Sequence, residues 1–266
     1  MKKYDAGFIG AGNMGGALAL AAAKKVGGGK VAVSCSSPAS SAAAAKRIGC
    51  RAAAAQEILA DSRFVFLGVK PQMIENVVRS LEEEISVSDG IFVSMLAGVS
   101  LEKLALLLGE KRKIIRIMPN TACAVGHGVL LLCANEYVTE QELAVFHELM
   151  EQSGVIDAID EGLIDAASAI SGCGPAYAYM FIEALADGGV KCGLPREKAL
   201  RYAAQMLKGS AEMALVSGKH PEQLKDDVCS PGGSTIAGVY ELEEHGFRSG
   251  CISAVEAAYA RTKQLG

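Results

Sequence analysis

The 266-residue chain has no paired cysteines, no long run of like charge, and no long apolar stretch free of helix breakers. Each absence removes a class of function. The eight cysteines (35, 50, 123, 133, 173, 192, 229 and 251) are nowhere closer than ten residues, and the four histidines form no HxxxH or HExxH pattern. No zinc site is supported. Several cysteines sit inside apolar runs, where a reduced thiol acts as a small hydrophobe. The expectation is a reducing compartment, the cytoplasm, with no disulfide and no metal. A net charge of -4 gives no electrostatic reason to expect nucleic acid. Glu82-Glu83-Glu84 reads as a solvated helix face. The longest uncharged run, 117–135, contains Pro119, Asn120, Gly126, His127 and Gly128, so no membrane span is expected.

Acid is also missing where it would matter. Between Asp5 and Glu57 there is no carboxylate, while Lys24, Lys25, Lys30, Lys46, Arg47 and Arg51 are basic. The segment opens with Tyr4 to Ile9, a short strand candidate, then Gly10-Ala11-Gly12-Asn13-Met14-Gly15-Gly16, then an Ala- and Leu-rich helix former. Strand, GxGxxG and helix in that order are the context a dinucleotide fingerprint requires. Gly10 makes the tight turn, Gly12 lets a pyrophosphate approach the backbone, and Gly15 lets helix and strand pack closely. Lys2-Lys3 and the uncharged residues 6–23 could also pass for a secretory signal. Five glycines and Asn13 within that stretch argue against it, and the dinucleotide reading explains those glycines by position.

A second strand is expected from Lys30 to Cys35. An NAD-binding protein places an Asp or Glu near its end for the ribose 2′-OH. Here Ser36, Ser37 and the helix start at Pro38 to Ser41 offer hydroxyls and amides to a 2′-phosphate, and no carboxylate repels one. The expected cofactor is NADPH in preference to NADH, although these basic side chains could also be a solvated face.

Phe64 to Val69 reads as a buried parallel strand ending at Lys70-Pro71-Gln72, ahead of a helix with Ile74, Val77, Val78 and Leu81 on one face. Ligands in open α/β sheets bind at the carboxyl ends of strands, which places Lys70 near cofactor or substrate. Further strands are expected at Ile91 to Ser94 (ending at Met95-Leu96-Ala97-Gly98), Lys113 to Ile117, Gly128 to Cys133 and Val155 to Ile159. A helix from Thr139 to about Gln152 lies between the last two. The alternation predicts a doubly wound, Rossmann-type sheet over residues 1–160.

Past Asp160 the strand signal disappears, and residues 161–266 read as an all-helical second domain. Gly162 to about Val190 reads as one long helical run, in which Pro175 leaves the carbonyl of Ser171 without its intrahelical donor. Helices from Pro195 to about Val216, from Pro221, and on both sides of Gly246 follow. Their apolar faces are wider than one small bundle would bury, which predicts self-association.

Within that half stands Ser230-Pro231-Gly232-Gly233-Ser234-Thr235. Pro231 stops what precedes it, and the two glycines free the backbone. Ser234 and Thr235 then stand at the N-cap of an apolar helix. Such a start exposes N–H groups to a small anion. In isolation the stretch is more often a tight helix–helix turn.

Together these motifs form a pattern. Gly10-x-Gly12-Asn13-Met14-Gly15, Val69-Lys70-Pro71-Gln72 and Met118-Pro119-Asn120-Thr121 precede Ser171-Gly172-Cys173-Gly174-Pro175-Ala176-Tyr177, Ala186-Asp187-Gly188-Gly189-Val190, Ser230 to Thr235, Gly246-Phe247-Arg248 and Ala254-Val255-Glu256-Ala257. Over nearly its whole length the chain resembles pyrroline-5-carboxylate reductase. Ala55, Ala122 and Asp227 depart from residues common in that family. The resemblance implies reduction of 1-pyrroline-5-carboxylate to L-proline, the last step of proline synthesis, by hydride from NADPH or NADH. It implies cofactor contacts at Ile9, Gly10, Ala11, Gly12, Asn13, Met14, Ser36, Ser37, Gly68, Val69, Lys70, Pro71, Met95, Leu96 and Ala97. It further implies substrate contacts at Gly233, Ser234, Thr235 and Glu161, with the Thr235 hydroxyl directed at the imine nitrogen as the catalytic group. Glu161 has an equally simple reading as an acid at a helix N-terminus. The family's site lies in a cleft completed by two subunits, so at least a homodimer is implied.

Two rivals remain. β-Hydroxyacid reductases share such a first half, but they use a catalytic lysine, and Lys191, Lys198 and Lys208 sit in no such motif. A non-enzymatic NADPH-binding protein would have no need of an intact Ser230–Thr235 loop.

Overall fold

The structure is a computed structural model and describes residues 2–264. Among them are eight strands: β1 (Tyr4–Ile9), β2 (Val31–Ser34), β3 (Arg51–Ala52), β4 (Ser62–Leu67), β5 (Ile91–Ser94), β6 (Ile114–Pro119), β7 (Gly128–Ala134) and β8 (Gly154–Ala158). They form one sheet in the order β3-β2-β1-β4-β5-β6-β7-β8. Every pairing is parallel except β6 with β7, which are joined by a short 3-10 segment, Thr121–Val125. The two-residue edge strand β3 has no apolar run and left no signal in the sequence.

The alternation of side chains, with a core on each face of the sheet, explains why β1 beyond Asp5 and β4 beyond Arg63 are continuously apolar. Phe8, Phe64 and Phe66 enter one core with Leu18, Ala44 and Phe146. Ile9, Val65 and Leu67 enter the other, with Ile58, Ile74, Leu81 and Leu104. Phe8 stacks on Phe66 with ring centroids 4.2 Å apart. The covering helices are α1 (Asn13–Val26), α2 (Pro38–Ile48), α3 (Ala55–Asp61), α4 (Ile74–Ser80), α5 (Glu82–Val87), α6 (Leu101–Leu108) and α7 (Glu140–Met150). Thr139 caps α7 through a reciprocal box with Glu142. The helix expected from Pro71 is instead a 3-10 turn, Pro71–Met73, followed by α4 and α5.

The expected continuous helix from Gly162 to Val190 is two helices, α8 (Glu161–Ser171) and α9 (Gly174–Lys191). The break at Gly172-Cys173 puts Pro175 in the first turn of α9, where its missing N–H costs no helix bond. The remaining helices are α10 (Arg196–Val216), α11 (Pro221–Asp227), α12 (Ser234–Glu244) and α13 (Phe247–Lys263). None of the described helices is long and apolar enough to cross a membrane.

The contacts divide the chain into two compact units, Met1–Cys173 with Ala258–Gly266, and Gly174–Ala257. The first holds the sheet and both large cores; α8 joins it by packing Ile164 against Leu131 and Cys133. In the second, only Ala186, Ala199 and Ala203 are buried among the described apolar side chains. Met180, Leu215, Val216, Tyr240 and Ile252 are all more than half exposed. All eight cysteines are free, and burial pushes the Cys50 and Cys133 thiols up to about 11.

Candidate active site

The glycine loop between β1 and α1 is fixed by backbone packing. Gly10 has φ +99°, and a Cβ there would lie 2.5 Å from the carbonyl oxygen of Gly68. A Cβ on Gly68 or on Gly15 would in turn overlap the carbonyl oxygen of Gly10. The ends of β1 and β4 therefore approach closely because neither turn carries a side chain; Gly68 N–H donates to Ile9 O at 2.8 Å. Gly12 differs. It is the N-cap of α1, it makes no side-chain cap, and a Cβ there would meet nothing within 4 Å. The positive end of α1 thus opens on free space with no acidic residue in its first turn.

In front of that loop lies a cleft of about 520 Å³ lined by residues 10–13, Cys35, Ser36, Ser40 and Arg47, among others. A second hollow of about 530 Å³ shares Cys35 and Ser36 and extends to Ser37 and Ala55. Its one carboxylate, Glu57, is held below the usual carboxylate range by hydrogen bonds from Lys3 and then Tyr4. Ser37 is the N-cap of α2 in a capping box with Ser40. The Ser36 hydroxyl has no hydrogen-bond partner among the described residues. The open loop, the uncapped helix start and the adjoining hollows fit an adenine dinucleotide.

At the neighbouring strand ends, Lys70 is exposed and carries no ion pair among the described residues, while Val69 and Pro71 are half-buried. Met95 and Ala97 are half-buried after β5. Ile9 and Leu96 point their side chains into the core, so only their backbones could meet a ligand.

Sequence reasoning missed the charged group beneath this face. Arg116, in the middle of β6, is 3% exposed. It donates to Glu161 at 3.0 Å and to Asp165 at 2.7 Å; its Nε is buried without a partner. Glu161 Oε1 also accepts the Leu101 N–H at 2.7 Å, which ties the start of α8 to the start of α6. Glu161 is therefore anchored through one oxygen, and Oε2 carries no hydrogen bond among the described residues. The available signal was a basic residue inside a buried strand, with two acids four apart on a later helix, α8. Asn120 is a second omission: its Nδ2 donates at 2.9 Å to Ser171 O, a carbonyl left without a helix donor where α8 ends.

In the second unit, Gly232 has φ +67° and Gly233 is extended. The N-cap of α12 is Gly233, not Ser234 or Thr235, because the left-handed turn at Gly232 lets the helix begin directly at Ser234. Gly233 offers no side-chain cap, so the first-turn amides of Ser234 and Thr235 have no side-chain acceptor. A Cβ on Gly233 would overlap Ser230 Oγ. Ser234 and Thr235 are exposed in the single chain. Just upstream, Asp227 pairs with Lys219 at 2.7 Å.

Known proteins place these features in a family. Residues 161–265 match the family model described as pyrroline-5-carboxylate reductase dimerisation. Residues 5–98 match that of NADP oxidoreductase, coenzyme F420-dependent. A pyrroline-5-carboxylate reductase of Pisum sativum is 42% identical over 265 residues, covering 98% of this chain and 96% of that protein. Its counterpart in Escherichia coli K12 is 41% identical over 262 residues, covering 97% of each. A Plasmodium falciparum pyrroline carboxylate reductase solved with NADP bound superposes with a TM-score of 0.90 at 34% identity, covering 100% of this chain and 99% of that one. The chain belongs to the pyrroline-5-carboxylate reductase family.

Proposed function

We propose that the protein reduces the cyclic imine 1-pyrroline-5-carboxylate to L-proline with NADPH, accepting NADH less well, as the last step of proline synthesis. The observation that carries this reading is the pair of uncapped, glycine-fronted helix starts at α1 and α12. When bound, the nicotinamide supplies a hydride to the imine carbon, and the nitrogen gains a proton to become the ring amine. What the chain supplies is placement and charge.

Residues 1–160 hold the cofactor. The backbone from Ile9 to Met14 takes the pyrophosphate at the α1 start, Ser36 and Ser37 face the adenosine phosphate, and Gly68 to Pro71 with Met95 to Ala97 border the nicotinamide side. Residues 161–266 serve substrate and subunit pairing. The N–H groups of Ser234 and Thr235 receive the carboxylate, and the Thr235 hydroxyl donates toward the imine nitrogen. The Gly233 N–H, expected from the sequence to join them, is instead given to Ser230 O at 3.0 Å, so Gly233 contributes a bare backbone turn. Glu161 faces substrate through Oε2. A neutral hydroxyl is a poor acid, so Thr235 orients or relays a proton whose source is another group or water. The wide exposed apolar surface of the second unit is covered by a second copy, giving at least a homodimer.

The test is NADPH oxidation with 1-pyrroline-5-carboxylate, repeated with NADH and with a β-hydroxyacid plus oxidised cofactor. Turnover of the imine, better with NADPH, is the expected result. Turnover of only the hydroxyacid, or NADPH binding without turnover of any imine, would overturn the reading. NADH used equally well would remove the cofactor preference alone.

A further inference from the structure

In the sequence Arg47 is one of six basic residues between Asp5 and Glu57. In the structure it has a defined place. It lies in the last turn of α2 and is the one charged side chain lining the cleft before the glycine loop. Its Nη2 donates to Ala11 O at 3.3 Å. The guanidinium rests against α1 at Gly16, where a Cβ would come within 2.9 Å of Nη2. No carboxylate pairs with it among the described residues. Lys46, next in sequence and of the same charge, does not line the cleft.

Two anionic groups of a dinucleotide could meet this cleft. The pyrophosphate has its own receptor in Gly12 and the open start of α1. Asn13 lines the cleft at that same helix start, and the other polar side chains come from the β2–α2 side: the unbonded Ser36 hydroxyl, Ser40 and the Arg47 fork. That is the side on which an NAD-binding sheet places its ribose-reading acid. A guanidinium has five donors in one plane, matched to a phosphate ester, and only one is engaged here.

We infer that Arg47, held against Gly16 and assisted by Ser36, binds the 2′-phosphate of the cofactor's adenosine and sets the preference for NADPH over NADH. The inference rests on the dinucleotide reading above. It replaces a general basic surface with one side chain from the far end of α2, and makes Gly16 the residue that gives the side chain room.

The test is calorimetric titration of the full-length protein with 2′,5′-ADP and with 5′-ADP, alongside KM values for NADPH and NADH. Arg47→Gln is expected to weaken 2′,5′-ADP by about tenfold, the low end for a charge-assisted bond because the side chain is exposed. Its effect on 5′-ADP is expected to stay below about twofold, which also reports an intact fold. Gly16→Ala keeps the charge but displaces the guanidinium, and is expected to weaken 2′,5′-ADP selectively by a few-fold. Lys46→Gln should change neither ligand. Equal weakening of both ligands by Arg47→Gln would assign Arg47 to the shared diphosphate and overturn the proposal. So would no weakening of either, or an equal effect of Lys46→Gln. Parent protein that binds 2′,5′-ADP no better than 5′-ADP would instead remove the NADPH preference itself, a failure visible before any substitution is made.

Discussion

The two glycine-fronted helix starts share one local design and differ in what surrounds them. Both α1 and α12 begin after a glycine N-cap with no side-chain cap. Around α1 the neighbouring glycines are locked: Gly10 against Gly68, Gly15 against Gly10, with a core on each face of the sheet behind them. Around α12 the helix has no buried residue, and Pro231, Ser234 and Thr235 stand exposed. A finished site with its own cleft stands against a loop on a unit that buries only three alanines among its described apolar side chains. The difference teaches that one chain folds the proposed cofactor cleft to completion, whereas the α12 loop carries exposed donors on a unit with little buried apolar surface. A second copy of the chain is the simplest source of the missing cover.

Substitutions can break this contrast, and the largest effects belong to the locked side. Gly10→Ala places a Cβ at φ +99° against the Gly68 carbonyl, and should cost about 3 kcal/mol or more in chemical denaturation. Gly12→Leu projects into open space, so stability should hold within about 0.5 kcal/mol while cofactor affinity falls by about a hundredfold or more, because the side chain takes the place proposed for the pyrophosphate. Equal destabilisation by both would show that the open face of Gly12 is not the ligand's side.

Beneath the same face, Arg116→Met leaves Glu161 and Asp165 without their buried partner. A loss of about 3 kcal/mol is expected in urea melts. A neutral result would mean that the ion cluster does not hold α8 to the sheet.

On the α12 side the effects should appear in turnover and not in folding. Thr235→Ala should lower kcat by about tenfold while leaving the melting temperature and NADPH affinity unchanged. An unchanged rate would remove Thr235 from the mechanism.

The smallest effect is electrostatic. Glu222 is pulled down to about 2 by hydrogen bonds from Lys225 and then Arg248. A carboxylate with a lowered folded-state pKa adds stability above its ordinary value near 4 and loses it as pH falls toward 2. Glu222→Gln should therefore flatten the acid limb of a melting-temperature profile between about pH 4 and 2, by a small amount because the group is exposed. An identical acid limb in the two proteins would show that the pair contributes nothing.

The elements most legible in sequence were those whose cause is local. β1, β4 and the GxGxxG turn follow from apolar runs meeting glycines, and the α7 cap follows from Thr139 with Glu142. The break between α8 and α9 was less legible, because apolar periodicity runs through Gly172-Cys173 and only the partner at Asn120 shows where the chain is held. Arg116 left only the signal of a basic residue in an apolar strand, and its partners were not legible because residues 116, 161 and 165 meet only after β6 and α8 pack. At α12 the error was one residue, since serine and threonine are favoured caps, but the turn at Gly232 gives that position to Gly233.

The claim that the α12 loop serves a cleft it cannot close alone has one direct test, subunit complementation. Gly12→Leu disables cofactor binding, and Thr235→Asp puts a carboxylate where the substrate's carboxylate must sit; each homodimer should be inactive. Co-expressed in equal amounts, they should regain about a quarter of the parent's kcat per subunit, because half the dimers are mixed and each mixed dimer carries one intact site. Mixed dimers, verified by differential tags, that remain as inactive as either parent variant would place both loops of each site on the same chain and contradict the account.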